Sequence, residues 1–588
     1  MEIQFTVWAP FAKTMSLVLD GMPLEMTRGE MGYWSATGPA RSGVSEYFFM
    51  IDGTMKANDP RVKFLPNGQN GLGVYFDASD FHWSDSGFKG VGLESAVMYE
   101  LHVGSFSDAG SYEGVKDKLA YLKELGITHI EFMPLGSFSS GKGAFCGWGY
   151  DSIFPFAPHA AYGHPFELMD LIDSCHRLGI SVIIDLVMNH FGPSGAVQDF
   201  FGPYTTDTYK TPWGRAINFD GAYSYEVRRY FIDCALMWLE DYHFDGVRID
   251  ATHAIFDQSA LSIMTELNDA IDQLGQRLGK SFIKIAESDL NDPRLIRPKS
   301  FCGYGFDAQW SDDFHHAMHA YMTKESLGYY EDFGEMSQVK KALCQGFVYA
   351  GDYSKFRKAY KGQALPKKAA TKLITYIQNH DQIGNRGFGE RLSHLVNPLH
   401  LYAMATIHLL APTVPMIFQG EEWGAKARFL YFTSHADEDL AKAVFEGRKR
   451  EFKEFFPDKN ALETLIDPQS DEAFIKSKLD WKELSSRNGK ELFQWYQRMI
   501  LLRRRYVSCL KKRDFLDDGS VAIDDDHCMQ IFTGRLWIIV NLTDHWLSLA
   551  KPKRQRPKAL AIKGQYYLEK DRFGVGAFFV GVFLQGQS

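Results

Sequence analysis

From residue 97 to residue 418 the chain repeats one rhythm: a short apolar run, a loop, then a stretch with apolar residues at helical spacing. This alternation commits the chain to a parallel sheet, because consecutive parallel strands need a crossover long enough to hold a helix. The runs are Val97–Val103, Ile127–Met133, Ile180–Val187, Gly246–Asp250, Phe282–Ala286, Gly305–Trp310, Leu373–Ile377 and Val414–Phe418, eight in all. Between the first two, Val115, Leu119, Leu122 and Leu125 mark a helix that stops at Gly126; later, Leu168, Leu171, Ile172, Cys175 and Leu178 mark one that ends at Gly179. Eight such units predict a (β/α)8 barrel. A doubly wound sheet is the other α/β arrangement with this rhythm, but no GxGxxG or GxxxxGK[ST] loop follows a strand, and the glycines of 141–149 have neither spacing.

At 588 residues the chain exceeds a single core, so flanking domains are expected. Residues 1–85 read as an N-terminal β-sandwich of the carbohydrate-binding type, with alternating runs such as Met15–Leu19 and Glu46–Ile51 separated by Asp20-Gly21 and Asp52-Gly53 turns. Residues 86–505 form the barrel, with a loop insertion after the third strand at about 189–222. Residues 506–588 form a C-terminal β-domain with strands at Leu536–Leu542 and Gly576–Phe583. A basic run at 551–558 reads as a solvated turn.

A net charge of -9 and the lack of a long basic segment argue against nucleic acid and anionic membranes as partners. The N-terminus is strand-like rather than a signal peptide, and the apolar run 404–418 is too short and too interrupted to span a bilayer. Seven cysteines with no CxxC pair predict reduced thiols, no zinc and a cytoplasmic location.

In a barrel of this kind the reacting groups sit where the strands end. Those positions hold His102, Asn189, His190, Arg248, Asp250, Glu287, His380, Asp381, Glu421 and Glu422. Arg248 and Asp250 are two apart on one strand and so share a surface, where the cation favours an ionised carboxylate. Glu287 follows the apolar Ile283, Ile285 and Ala286, surroundings that favour a protonated acid. Clustered carboxylates without an HxH, HExxH or Cys/His metal spacing point to acid–base and nucleophilic chemistry at an acetal, and no metal or cofactor is expected.

Asp185-Leu-Val-Met-Asn-His190, Gly246-Val-Arg-Ile-Asp250, Ala286-Glu287 and Asn379-His-Asp381 resemble, in order and strand context, the four signature regions of the α-amylase superfamily. Gly147-Trp-Gly-Tyr-Asp151, Thr211-Pro-Trp-Gly214, Asp312-Asp-Phe-His-His316, Gly384-Asn-Arg386 and Phe388-Gly-Glu-Arg-Leu392 narrow the resemblance to the malto-oligosyltrehalose trehalohydrolase family over roughly residues 95–505. The resemblance implies Asp250 as nucleophile, Glu287 as acid and base, and Asp381 as transition-state stabiliser. It implies Tyr150, His190, Arg248, His253, His380 and Arg386 as substrate-binding residues, with Trp213 and Trp423 as further aromatic candidates. Ser288, Met188, Gln419 and the loop 137–146 depart from the family's pattern. Asn189 matches a calcium ligand of many α-amylases, but without a partner acid cluster no calcium is expected.

The implied activity is hydrolysis of the α-1,4 bond next to a terminal trehalose unit of malto-oligosyltrehalose, with malto-oligosyltrehalose synthase as metabolic partner. A glucan branching enzyme, an α-glucan transglycosylase or a general α-amylase is the enzymatic alternative, sharing the same barrel and carboxylates. A non-catalytic glucan-binding relative would usually lack one of the three carboxylates, all of which are present here.

Overall fold

The structure, a computed structural model, describes residues 1–139, 147–453, 462–507, 514–533, 535–550, 557–569 and 572–585. Its centre is a closed parallel barrel. The barrel strands are β1 Met98–Leu101, β2 His129–Phe132, β3 Ser181–Leu186, β4 Gly246–Ile249, β5 Ile283–Ala286, β6 Ala308–Trp310, β7 Leu373–Thr375 and β8 Val414–Phe418. Each lies within a run expected from the sequence, in chain order around the barrel, and β8 closes on β1 through Met416 opposite Met98. All strands but β8 are shorter than their apolar runs, because the outer residues of several runs lie outside the strand, as Val103 does at the start of a short helix.

Alternation along the strands divides two cores. Met98, Ile183, Ile285, Ala308, Trp310, Ile374, Tyr376 and Met416 pack inside the barrel. Residues of opposite parity, such as Ile130, Ile184, Val247 and Ile417, pack outward against the helices. Pro165–Arg177 shows how the helices are specified. His164 and Glu167 form a capping box, Pro165 occupies the first turn, and Leu168, Leu171, Ile172 and Cys175 are buried; the left-handed Gly179 follows the last turn. The single helix expected between β1 and β2 is two, Tyr112–Lys116 and Leu119–Leu125, separated at Asp117 and Lys118.

Three excursions rise from the rim. The strands Gly136–Phe138 and Ser152–Pro158 pair between β2 and β3; a hairpin of Thr205–Thr211 and Gly214–Ile217 follows β3; and a hairpin of Asp352–Ser354 and Ala359–Lys361 follows β6. The unusual loop 137–146 lies outside the described residues from 140 onward.

Antiparallel sheets flank the barrel. The N-terminal strands form a three-stranded and a five-stranded sheet. They are fastened by Arg61 to Asp233 and Lys63 to Asp241, both at 2.7 Å, and by Tyr230 Oη donating to Pro60 O at 2.9 Å. Past this unit, Asp85 lies 2.7 Å from His176 Nδ1 and 2.9 Å from His243 Nδ1, while Trp83 stacks on the His243 ring at 3.8 Å. The C-terminal strands form a five-stranded and a three-stranded sheet, tied to the barrel helices by Lys563–Glu491 at 2.9 Å and Tyr321–His527 at 2.7 Å. Of the basic run 551–558, residues 551–556 lie outside the described residues. Among the described residues no helix is long and apolar enough to cross a membrane. The described cysteines Cys175, Cys234, Cys302, Cys344 and Cys528 are free thiols.

Candidate active site

Arg248 organises the rim. It projects inward from β4, is 1% exposed, and lies with its guanidinium 4.1 Å above the Trp310 ring. Its Nη1 donates to Asp185 Oδ2 at 2.6 Å and to Asp250 Oδ1 at 2.9 Å, while Nη2 lies 3.2 Å from Glu287 Oε2. Three carboxylates from the ends of β3, β4 and β5 therefore meet on one planar fork, the geometry that distinguishes arginine from a point-charge lysine.

The other donors fix each acid separately. Asn189 Nδ2 donates to Asp250 Oδ2 at 2.9 Å and to the Asp250 carbonyl at 3.2 Å. The Ala251 N–H donates to Glu287 Oε2 at 2.6 Å, and Ala251 reaches that position with φ of 39°, a left-handed conformation unusual for a residue with a Cβ. Burial pushes Glu287 well above the ordinary carboxylate range; Arg248 pulls it down, and the charges of Asp250, Asp381 and Asp312 push it up. Asp185 is pushed up to about 6, mainly by burial, against the pull of Arg248.

Asp381 comes from the helical turn after β7 and accepts from Asn385 Nδ2 at 2.5 Å. Its neighbour His380 lies flat against Tyr150, ring centroids 4.9 Å apart and planes 19° apart. His380 Nδ1 is 2.5 Å from Glu100 Oε1, and its backbone N–H donates to Glu100 Oε2 at 2.9 Å. Burial lowers the His380 imidazole, but the charge and hydrogen bond of Glu100, with Asp381, raise it overall. Tyr150 Oη donates to Asp185 Oδ2 at 2.7 Å, so the aromatic shelf and the Arg248 cluster form one network.

His190 is buried, bonded to Asn189 and stacked on Trp213 at 5.2 Å and 20°, which places Trp213 of the β3 insertion on this rim. Half-buried His253 faces Asp289: burial alone would raise that carboxyl, and the charges of His253, Arg357 and Lys361 bring it below its ordinary value. Arg386 stands farther along the rim in a two-pronged pair with Glu325, both contacts 2.7 Å. With Tyr329, Tyr330 and Asn385 it lines a cavity of about 270 Å³.

Other strand-end residues turn away from this cluster. His102 caps the helix Val103–Phe106 and bonds Tyr162 and the Gly147 carbonyl. After β8 the chain reverses at left-handed Gly420, so Glu421 and Glu422 point into the wall behind the barrel. There they accept from Tyr496 and Gln378, and from Tyr99 and Tyr121. Burial pushes these two acids up to about 8 and about 7. Trp423 is core, packed against Trp481 at 5.0 Å.

The structure adds Asp312, the first residue of the helix after β6. Burial pushes its carboxyl up to about 6, Tyr376 Oη donates to it, and its charge acts on Glu287. In the sequence it looks like an ordinary acid in a helix first turn, and only its distance from the end of β6 signals the rim. Glu100, which holds His380, is hidden inside an apolar strand. Among the described residues no group of three or more His, Cys, Asp or Glu side chains is placed to hold a metal ion.

The sequence profile of the alpha-amylase catalytic domain matches residues 78–206. A malto-oligosyltrehalose trehalohydrolase of Saccharolobus solfataricus is 39% identical over 90% of this chain and 90% of its own length; one of Arthrobacter ramosus is 41% identical over 90% and 91%. The crystal structure of a candidate alpha amylase from Salmonella typhimurium superposes with a TM-score of 0.89 at 32% identity, over 99% of this chain and 98% of that one. A maltotriose-bound pullulanase from Anoxybacillus shares the fold, with a TM-score of 0.71 at 18% identity over 100% of this chain and 84% of its own.

Proposed function

This chain belongs to the malto-oligosyltrehalose trehalohydrolase family, glycoside hydrolases of the alpha-amylase fold, and from that premise we propose that it hydrolyses the α-1,4 bond next to the terminal trehalose unit of malto-oligosyltrehalose, with retention of configuration. The observation that carries the reading is the Arg248 fork, which holds Asp250 on one nitrogen and Glu287 on the other. Two carboxyls so held are neighbours, as a retaining pair must be, and they enter the reaction in different protonation states.

Asp250 attacks the anomeric carbon as the Glu287 proton passes to the glycosidic oxygen, and trehalose leaves. A malto-oligosyl ester of Asp250 remains. Water then attacks the same carbon, Glu287 takes its proton, the ester bond breaks, and Asp250 is regenerated with a free malto-oligosaccharide. Asp381 stabilises the oxocarbenium-like charge. Tyr150 offers its ring face to the sugar that becomes bonded to Asp250, and His190 and His380 bind that sugar's hydroxyls. His253 and Arg386 act farther along the rim, towards the leaving unit and the neighbouring sugars.

Raised Glu287 suits this cycle, because it must begin as an acid near neutral pH. No cofactor enters it. A synthase that converts the reducing-end bond of a malto-oligosaccharide to the α,α-1,1 linkage supplies the substrate. The free thiols accord with a cytoplasmic setting.

Incubation with maltotriosyl-trehalose and, separately, with maltopentaose tests the reading. Trehalose and maltotriose from the first, with far slower attack on the second, is the expected result. Comparable cleavage of both would overturn the trehalose selectivity, and branched or longer products would make the enzyme a transferase.

A further inference from the structure

The C-terminal three-stranded sheet carries two neighbouring, half-exposed aromatic rings, Trp546 and Tyr567, on its outward face. Its central strand, Arg572–Val575, pairs with Leu547–Ala550 on one side and Tyr566–Leu568 on the other. Leu549, Phe573 and Val575 point into a buried cluster with Trp537 and Phe579. The opposite parity brings Ser548, Ala550, Arg572 and Gly574 to the outer face.

Two rings lie across that face. Tyr567 is the cross-strand partner of Gly574, and the ladder that sets Leu547 opposite Val575 brings Trp546 opposite Gly576. A Cβ on Gly574 would stand 2.1 Å from Tyr567 Cε1, and one on Gly576 would stand 3.4 Å from Trp546 Cζ2. The bare backbone at 574 is thus what allows the tyrosine ring to lie down on the strand. The two ring centroids are 5.5 Å apart with planes 30° apart, yet Trp546 and Tyr567 stay 49% and 43% exposed. Beside them Arg572 Nη1 donates to Ser548 Oγ at 3.1 Å, ending the aromatic floor in guanidinium and hydroxyl groups.

An aromatic ring laid over a cross-strand glycine shields the backbone, and one ring would serve for that. Two adjacent, tilted, half-open rings with hydrogen-bonding groups at one end match instead a neutral ligand that is apolar on its faces and rich in hydroxyls at its edges. Glucose rings meet that description through their axial C–H faces. A chain of them that curves from unit to unit, as α-1,4-glucan does, presents successive faces at an angle. We propose that this face is a second, non-catalytic binding site for α-1,4-glucan, with Trp546 and Tyr567 stacking on neighbouring glucosyl units and Arg572 and Ser548 bonding their hydroxyls. It rests on the α-glucan substrate class of the proposed function and holds long substrates on the enzyme away from the barrel rim.

The test uses the full chain in native gels containing amylopectin. Asp250→Asn enzyme, with maltotriosyl-trehalose saturating the barrel cleft, is expected to be retarded. Adding Trp546→Ala and Tyr567→Ala weakens the retention at least about tenfold, a loss of roughly 1.4 kcal/mol, whereas Tyr567→Phe keeps it. Arg572→Ala, which leaves both rings in place, also weakens retention and guards against misfolding of the double variant. With Asp250 intact, the double variant cleaves maltotriosyl-trehalose at the parent rate, so a failure of the proposed function shows in this assay and not in the gel. An unretarded Asp250→Asn enzyme, or equal retardation with and without the two rings, overturns the second site.

Discussion

Replacing Arg248 with lysine isolates what the fork contributes. The guanidinium spans Asp185 at 2.6 Å, Asp250 at 2.9 Å and Glu287 at 3.2 Å through two nitrogens. A lysine ammonium keeps the positive charge but has a single nitrogen, so it can serve the Asp185 and Asp250 side or the Glu287 side. At least one charge-assisted hydrogen bond is lost, a loss of about 1.5–3 kcal/mol. Expressed on the barrier, that is a fall in kcat of roughly 10- to 150-fold. The acids are misaligned with each other and not with the distant sugars, so KM for maltotriosyl-trehalose should change by less than about threefold. Steady-state kinetics and thermal unfolding measure both arms. A second variant, Arg248→Met, removes the charge that pulls Glu287 down, so the basic limb of its residual kcat/KM profile should move to higher pH. A folded Arg248→Lys enzyme with kcat within twofold of the parent, or an unmoved basic limb in Arg248→Met, would refute the reasoning.

Asp312→Asn removes a charge that raises Glu287, so the basic limb of kcat/KM should move to lower pH; a profile superposable on the parent's would mean Asp312 does not act on the acid. Glu421 has a folded value of about 8. Its protonated form favours the fold fully below about 4.5, and that contribution is lost as the pH rises through about 8. Glu421→Gln should therefore melt with the parent at pH 5 and above it at pH 9, by at most about 5 kcal/mol, which unfolding scans at the two pH values would show. Ala251→Val places a β-branched side chain at φ of 39°. It should destabilise the protein by more than about 1 kcal/mol and lower kcat by about tenfold or more as the N–H to Glu287 shifts, while Ala251→Gly keeps both near the parent values.

The barrel was legible because its strands are buried on both faces and read as uninterrupted apolar runs, bounded by glycines and helical spacing. The Arg248–Asp250 pairing was legible for a similar reason, since two residues apart on a strand share a side. Direction beyond the strand end was not. His102 and Glu421 end apolar runs just as Asp250 and Glu287 do. Their fate is decided afterwards, by a helix that needs a cap at one and by the left-handed turn at Gly420 in the other. Those turns set which way a carboxylate or imidazole points, and a one-dimensional pattern holds no direction past the last paired residue. Asp312 and Glu100 were missed for the opposite reason: each sits where a bland role suffices, a helix first turn and a strand interior.

Charge counting inside the barrel explains why these partners matter. Glu100, Glu131, Asp185, Asp250 and Glu287 come from neighbouring strands or strand ends of the same barrel: the charges of Glu100 and Asp185 act on Glu131, and that of Asp250 acts on Asp185 and Glu287. The Arg248 guanidinium contacts three of these five, and a fourth, Glu100, is matched by His380. Glu131 is left, wholly buried, and burial drives its carboxyl well above the ordinary carboxylate range, which favours its neutral form. With Glu100 paired to His380, the Arg248 guanidinium is shared among Asp185, Asp250 and Glu287, one cation in contact with three acids. Burial raises both Asp185, to about 6, and Glu287, which it drives well above the ordinary carboxylate range. The proton that the proposed reaction needs on Glu287 is thus favoured first by burial and then by the charges of Asp250, Asp381 and Asp312, and a substitution that adds a positive charge beside Arg248 should weaken its hold.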